Sequence, residues 1–219
     1  MPQAHSSICI TKPDPGERVA KALLSVYSHL GFCPSSRLVA VCIGSDRATG
    51  DSLGPLVGSM LTWNGFTGKV LGTLEQPVHA GNLDEALLLV EGRGVTVLGV
   101  DACLGTKKEV GSIIVSRGSL KPGLGVKKQL PPVGDLHIAG VVNVGGFMEH
   151  LVLQNTRLNL VIKMAQAIAW GIIHAAKHMD SVHPETIPGP QALEQDATPS
   201  GLTSAALHPQ LLPVSGLRR

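Results

Sequence analysis

The feature that most limits how this chain can fold is an alternation of two periodicities. Short runs dominated by Val, Ile and Leu occur at 38–44 (LVAVCIG), 69–74 (KVLGTL), 94–101 (GVTVLGVD) and 112–118 (SIIVSRG), each the length of a buried strand. Between and around them, apolar residues return every three or four positions. Val19, Ala22, Leu23, Val26 and Leu30 form one such set, and Leu53, Leu56, Val57, Met60 and Leu61 a second, with Pro55 in the first turn, where its missing N–H is harmless. A third helix opens with Asn82 and Glu85 at capping-box spacing. From about 146 to 178 the periodicity predicts one long or broken helix. Strands alternating with helices build βαβ units, hence an α/β fold with a mostly parallel sheet, right-handed crossovers and helices on both faces. Such sheets bind ligands beyond the carboxyl ends of their strands.

At 219 residues the chain suits one domain with a sizeable core, and with only 3% aromatic residues that core must be aliphatic. Residues 1–14 lack periodicity and read as a flexible N-terminal arm, 15–179 as a single α/β domain, and the Pro-, Ser-, Thr- and Gln-rich stretch 180–219 as a disordered C-terminal tail. The segment KPGLGVKKQLPPVGD, which precedes LHIAGVVNV, is too long for a plain connector.

Charge narrows the function. Lys plus Arg number 18 against 16 Asp plus Glu, with no basic stripe, so nucleic acid is not an expected partner. No signal-peptide core and no uninterrupted apolar run of spanning length is evident, so no membrane partner is expected either. Cys9, Cys33, Cys42 and Cys103 are isolated, which fits a reducing cytoplasm and predicts neither a disulfide framework nor a zinc site. GSDRATGDSLG is not a dinucleotide-binding Gly motif, no phosphate-binding loop motif occurs, and no Ser sits in a nucleophile elbow.

Asp51 opens the second helix after a loop, and Asp101 ends an apolar run, so both are expected on the carboxyl edge of the sheet. Two carboxylates in one cleft raise the proton affinity of one of them, and such a pair can activate water and protonate a leaving amine. Asp51 also reads as a helix N-cap. A carboxylate closing VTVLGV is costly unless solvated or paired in a site. His137 is a third candidate, as an orienting group or metal ligand, although a lone His is more often structural. His150, His174, His178 and His183 read as surface residues, Glu149 and His150 as no metal pair, and Cys103 as a small buried hydrophobe.

GDSLGPLVG at 50–58, GVDACLG at 99–105 and the Pro-Gly-x-Gly-Val segment at 122–126 resemble the germination proteases, while NVGGFMEHLVLQNTRLNLVIKMA resembles the YyaC-type sporulation proteins, a likeness covering most of residues 37–178. The resemblance implies a three-layer α/β/α, phosphorylase/hydrolase-like fold and an aspartate-dependent spore peptidase acting from the forespore or spore interior. It implies Asp51 and Asp101 as catalytic residues, a protein or peptide as substrate, and Ser52, Gly54, Gly123, Gly125 and His137 as orienting or substrate-binding positions. The hydrogenase-maturation endopeptidases share that fold and place an acidic residue, an Asp and a His where Asp51, Asp101 and His137 fall here. They imply a divalent metal on those three residues, although no cofactor is required by the aspartate chemistry. The SDRATG loop is longer than theirs, Ser52 replaces a small apolar residue, and they lack the Pro-Gly segment. A non-catalytic binding or assembly protein of the spore and a metal-dependent maturation endopeptidase stand as alternatives, and homo-oligomer formation is left open.

Overall fold

The computed structural model describes residues 5–30, 37–90, 95–123 and 130–182. Six strands, β1 (His5–Cys9), β2 (Arg37–Cys42), β3 (Lys69–Leu71), β4 (Val95–Gly105), β5 (Ser112–Arg117) and β6 (Leu136–Val144), form one sheet in the order β1-β5-β6-β4-β2-β3. β3, β2, β4 and β6 run parallel, and β5 and β1 add an antiparallel edge. The fold is therefore α/β with a mixed, mostly parallel sheet, as its apolar runs predict.

The helices among the described residues are α1 (Pro15–Leu30), α2 (Leu53–Trp63), α3 (Leu83–Leu88), α4 (Glu149–Gln154) and α5 (Leu158–Val182). They load the two faces of the sheet unequally. α1, α2 and α5 bury Val19, Leu23, Leu61, Met164, Ile168 and Ile172 against Leu98, Val100, Leu136 and Ile138. On the opposite face the cluster is smaller, with Leu83 and Ala86 of α3, and Leu120 and Val133 of the β5–β6 connection, set on Val39, Val41 and Ile43. The three layers are there, but among the described residues the only helix in this smaller cluster is the six-residue α3.

Several expectations need correction. Residues 5–9 do not belong to a loose arm: HSSIC pairs along its whole length with β5, held by ladder hydrogen bonds and the buried Ile8, which a five-residue edge strand shows too briefly for periodicity to reveal. The helix expected over 146–178 is broken at Asn155, and its second part runs on through Asp180 to Val182, past the expected start of the tail. Residues 183–219 lie outside the described residues. α5 is long and apolar enough to cross a membrane by length and composition, with mean hydropathy 1.3, yet 56% of that stretch is buried, packed into the core cluster with α1 and α2. The expected capping box is not formed, because Asn82 makes no side-chain bond to the helix it precedes.

Candidate active site

The period of two along β4 and β6 sorts residues onto the two faces. Leu98 and Val100, and Leu136 and Ile138, face the three helices; Gly99, Asp101 and Cys103, and His137 and Ala139, face the thinly covered side. On that side a cavity of about 580 Å³ opens, and Asp51, Asp101, His137 and Gly123 all line it. Leu120, bridged to Val133, packs over Gly99 and lines the cavity.

Asp101 is not the last residue of its strand. β4 continues to Gly105, paired with β6, while β2 follows β4 only as far as the Cys42–Val100 pair. Beyond that point the chain leaving β2 crosses as a loop, and Gly44, Ala48 and Asp51 of this loop join the cavity wall. Gly44 has φ +143°, open to glycine alone, and any side chain there would strike the Asp51 carbonyl. The loop is fastened at both ends: Ser45 N–H donates to the Asp51 carbonyl at 3.2 Å, and Gly50 N–H to the Leu153 carbonyl at 2.8 Å.

Asp101 is only 8% exposed, and the small Ala139 lies opposite it in β6. Burial, then the nearby Asp51 charge, push its carboxyl up to about 8, against the pull of Ala102 N–H, which donates to Oδ1 at 2.7 Å. Burial also raises Asp51, but the Ser45 backbone N–H and, whenever its ring is protonated, His79 pull it back. The two carboxyls therefore differ in proton affinity, and Asp101 is the one that keeps its proton near neutrality. Ser52, not Asp51, occupies the N-cap of α2, and no side chain caps that helix end, so the Asp51 carboxylate is not committed to helix capping.

His137 fits between Gly99 of β4 and Ser116 of β5, two residues small enough to admit an imidazole. Its Nδ1 lies 2.8 Å from the Gly118 carbonyl, which can only accept, so Nδ1 carries a proton, and in the neutral ring Nε2 holds the lone pair.

Other expected positions fall elsewhere. Ser52 is buried and its hydroxyl donates to the Thr49 carbonyl at 2.7 Å, so it serves the loop rather than the cavity. Gly54 is buried where α2 crosses Ile43, whose backbone leaves no room for a Cβ; its role is close packing. Gly123 lines the cavity with φ +72°, and Gly125 lies outside the described residues. Among the described residues no three His, Cys, Asp or Glu side chains converge to hold an ion.

Cys103 is half-buried and faces the cavity instead of the core, but burial, Asp101 and Glu109 hold its thiol up at about 11, far from a thiolate. Glu149 and His150, read from sequence as no metal pair and the latter as a surface residue, also line the cavity, from α4. The residue that sequence reasoning missed is His79. It sits in the loop QPVHAGN, matches no motif, and enters because Gly44 N–H donates to the Val78 carbonyl at 2.8 Å, stitching this loop to the end of β2. A second concavity of about 570 Å³ lies against α1 and α5, but its acids are Asp14 and the exposed Glu17, the latter in a surface pair with Lys21.

Fold and site together define a three-layer α/β/α protein with two carboxyls of unequal proton affinity on one cavity at the carboxyl ends of parallel strands. The chain belongs to the family described as "Protein of unknown function (DUF1256)", whose profile matches residues 10–171. It is 56% identical over 157 residues to "Uncharacterized protein YyaC" of Bacillus subtilis (strain 168), a match spanning 70% of this chain and 77% of that protein, as the sequence resemblance anticipates. Among solved structures it is similar to the NiFe hydrogenase maturation protease HycI from Thermococcus kodakarensis KOD1, at 22% identity and TM-score 0.47 over 71% of this chain and 98% of that one. A likeness at that level assigns no residue a role.

Proposed function

We propose that this protein is a hydrolase acting on peptide bonds through Asp51 and Asp101. One observation carries the reading: a carboxyl protonated up to about 8 lies beside a second carboxyl on the wall of the same cavity. The Asp51 carboxylate takes a proton from water as the water oxygen bonds to the amide carbon and the carbonyl electrons move to oxygen. When the tetrahedral adduct collapses, the C–N bond breaks and the Asp101 proton passes to the leaving nitrogen. The proton then on Asp51 returns to Asp101 and restores the starting pair. His137, with Nε2 unprotonated, is the acceptor that orients the amide N–H. Resemblance to the YyaC-type sporulation proteins supports a substrate among proteins of the forespore or spore interior.

The test is to incubate purified small spore proteins with wild type, Asp51→Asn and Asp101→Asn and to identify new N-termini by mass spectrometry. Each substitution is expected to lower turnover by about 100-fold or more. Wild-type turnover is expected to fall as pH rises through about 8, where Asp101 loses its proton. Undiminished cleavage by both variants would end the proposal.

A further inference from the structure

The hydrolytic step leaves one charge without a partner, the oxygen that becomes an oxyanion when water adds. His79 lines the same cavity, and its ring is set in the opposite sense to that of His137. Gly81 N–H, which can only donate, reaches His79 Nδ1 at 3.1 Å, so Nδ1 carries the lone pair and the ring proton sits on Nε2. The His137 ring carries its proton on Nδ1, toward the Gly118 carbonyl. One cavity thus holds one imidazole that donates through Nε2 and one that accepts through it. A secondary amide has the matching pair of needs, an acceptor oxygen and a donor N–H.

The backbone around His79 is fixed for this purpose. Asn82 Oδ1 accepts from His79 N–H at 2.8 Å while Asn82 Nδ2 donates to the Pro77 carbonyl at 3.0 Å, so this side chain braces the turn instead of capping α3. The bond from Gly44 N–H to the Val78 carbonyl holds the turn against the same glycine on which the Asp51 carbonyl rests. His79 and Asp51 are therefore carried on two loops pinned to one point at the end of β2. The ring stands exposed at the rim, where a bound polypeptide would cover it.

We propose that His79 is a catalytic residue of this cavity, donating its Nε2–H to the carbonyl oxygen of the bound amide as negative charge develops there. The inference rests on the hydrolase reading and adds to it the donor that the aspartate pair lacks. Donors of this kind act on the transition state more than on the ground state, so their loss lowers kcat and leaves KM nearly unchanged.

The experiment compares wild type, His79→Ala and His79→Gln on a fluorogenic peptide copied from a cleaved spore-protein sequence. His79→Ala is expected to lose roughly 100- to 1000-fold in kcat with little change in KM. His79→Gln, whose amide nitrogen falls near the position of Nε2, is expected to recover at least about tenfold of that loss. Long-range nitrogen–proton NMR on the labelled wild type should find the His79 proton on Nε2. A His79→Ala enzyme with wild-type kcat, or a proton found on Nδ1, overturns the assignment while leaving the aspartates in place. An Asp51-dependent activity must exist for the comparison, and its absence from wild type sinks both readings together.

Discussion

The two faces of the central sheet are made from the same strands and carry different physical burdens. The face under α1, α2 and α5 is aliphatic and dry: Leu98, Val100, Ile138, Met164, Ile168 and Ile172 have no accessible surface. The other face, one residue out of phase along β4 and β6, carries Asp101, Cys103 and His137 on a cavity walled by loop segments and by α4. Stability is concentrated on the first and chemistry on the second. A protein can hold a carboxyl that resists ionisation because the packing on the reverse side of the same strand supplies the free energy that this group subtracts.

That division can be broken from either side. The largest effect belongs to the dry face: Ile168→Ala should remove about 3 kcal/mol in urea unfolding, while activity per folded molecule stays at the wild-type level. Lost activity in the folded variant would show that the two faces are coupled.

The next effect sharpens the comparison. Asp101 has a folded-state value of about 8 against an ordinary 3.8, so the native state holds its proton where the unfolded chain has released it. The group costs nothing below about pH 4, destabilises progressively as pH rises toward 8, and levels off above that. Asp101→Asn should therefore be more stable than wild type at pH 7, by at least ~2 kcal/mol, with the difference shrinking toward pH 4. Thermal melts across that range are the measurement, and a variant less stable than wild type at pH 7 would mean that Asp101 is ionised and paired.

The smallest effect lies where the dry face departs from its own rule. Thr96 is fully buried in β4 and its hydroxyl has no partner among the described residues. Thr96→Val, equal in shape, should raise stability by about 1 kcal/mol with no change in turnover. A loss on substitution would point to a bonded hydroxyl.

Much of the cavity was readable in one dimension. Asp101 stood out because a carboxylate at the end of VTVLGV has no business in a core, and Asp51 because it follows a strand by a loop and precedes a helix. His137 was visible as a polar residue opening an apolar run. Ser52 and Gly54 do not line the cavity; a motif glycine or serine looks the same whether it meets a ligand or lets a helix sit on a strand, and for Gly54 only the Ile43 backbone beneath it distinguishes the two. His79 carried no signal, since a lone His in a loop gains meaning from what the loop is tied to. Asn82 misled for a related reason: its spacing suits a helix cap, but two bonds within its own turn claim the side chain.

By itself the sequence determined the alternation of strands and helices, the aliphatic character of the core, and that a carboxylate closes one apolar run while a histidine opens another. Which strands became neighbours, where β2 stops short of β4, and which loops meet above Asp101 were decided only in three dimensions. The physical reason is that periodicity records which way a side chain points relative to its own backbone, whereas a site depends on backbone groups far apart in the chain finding hydrogen-bond partners in one another.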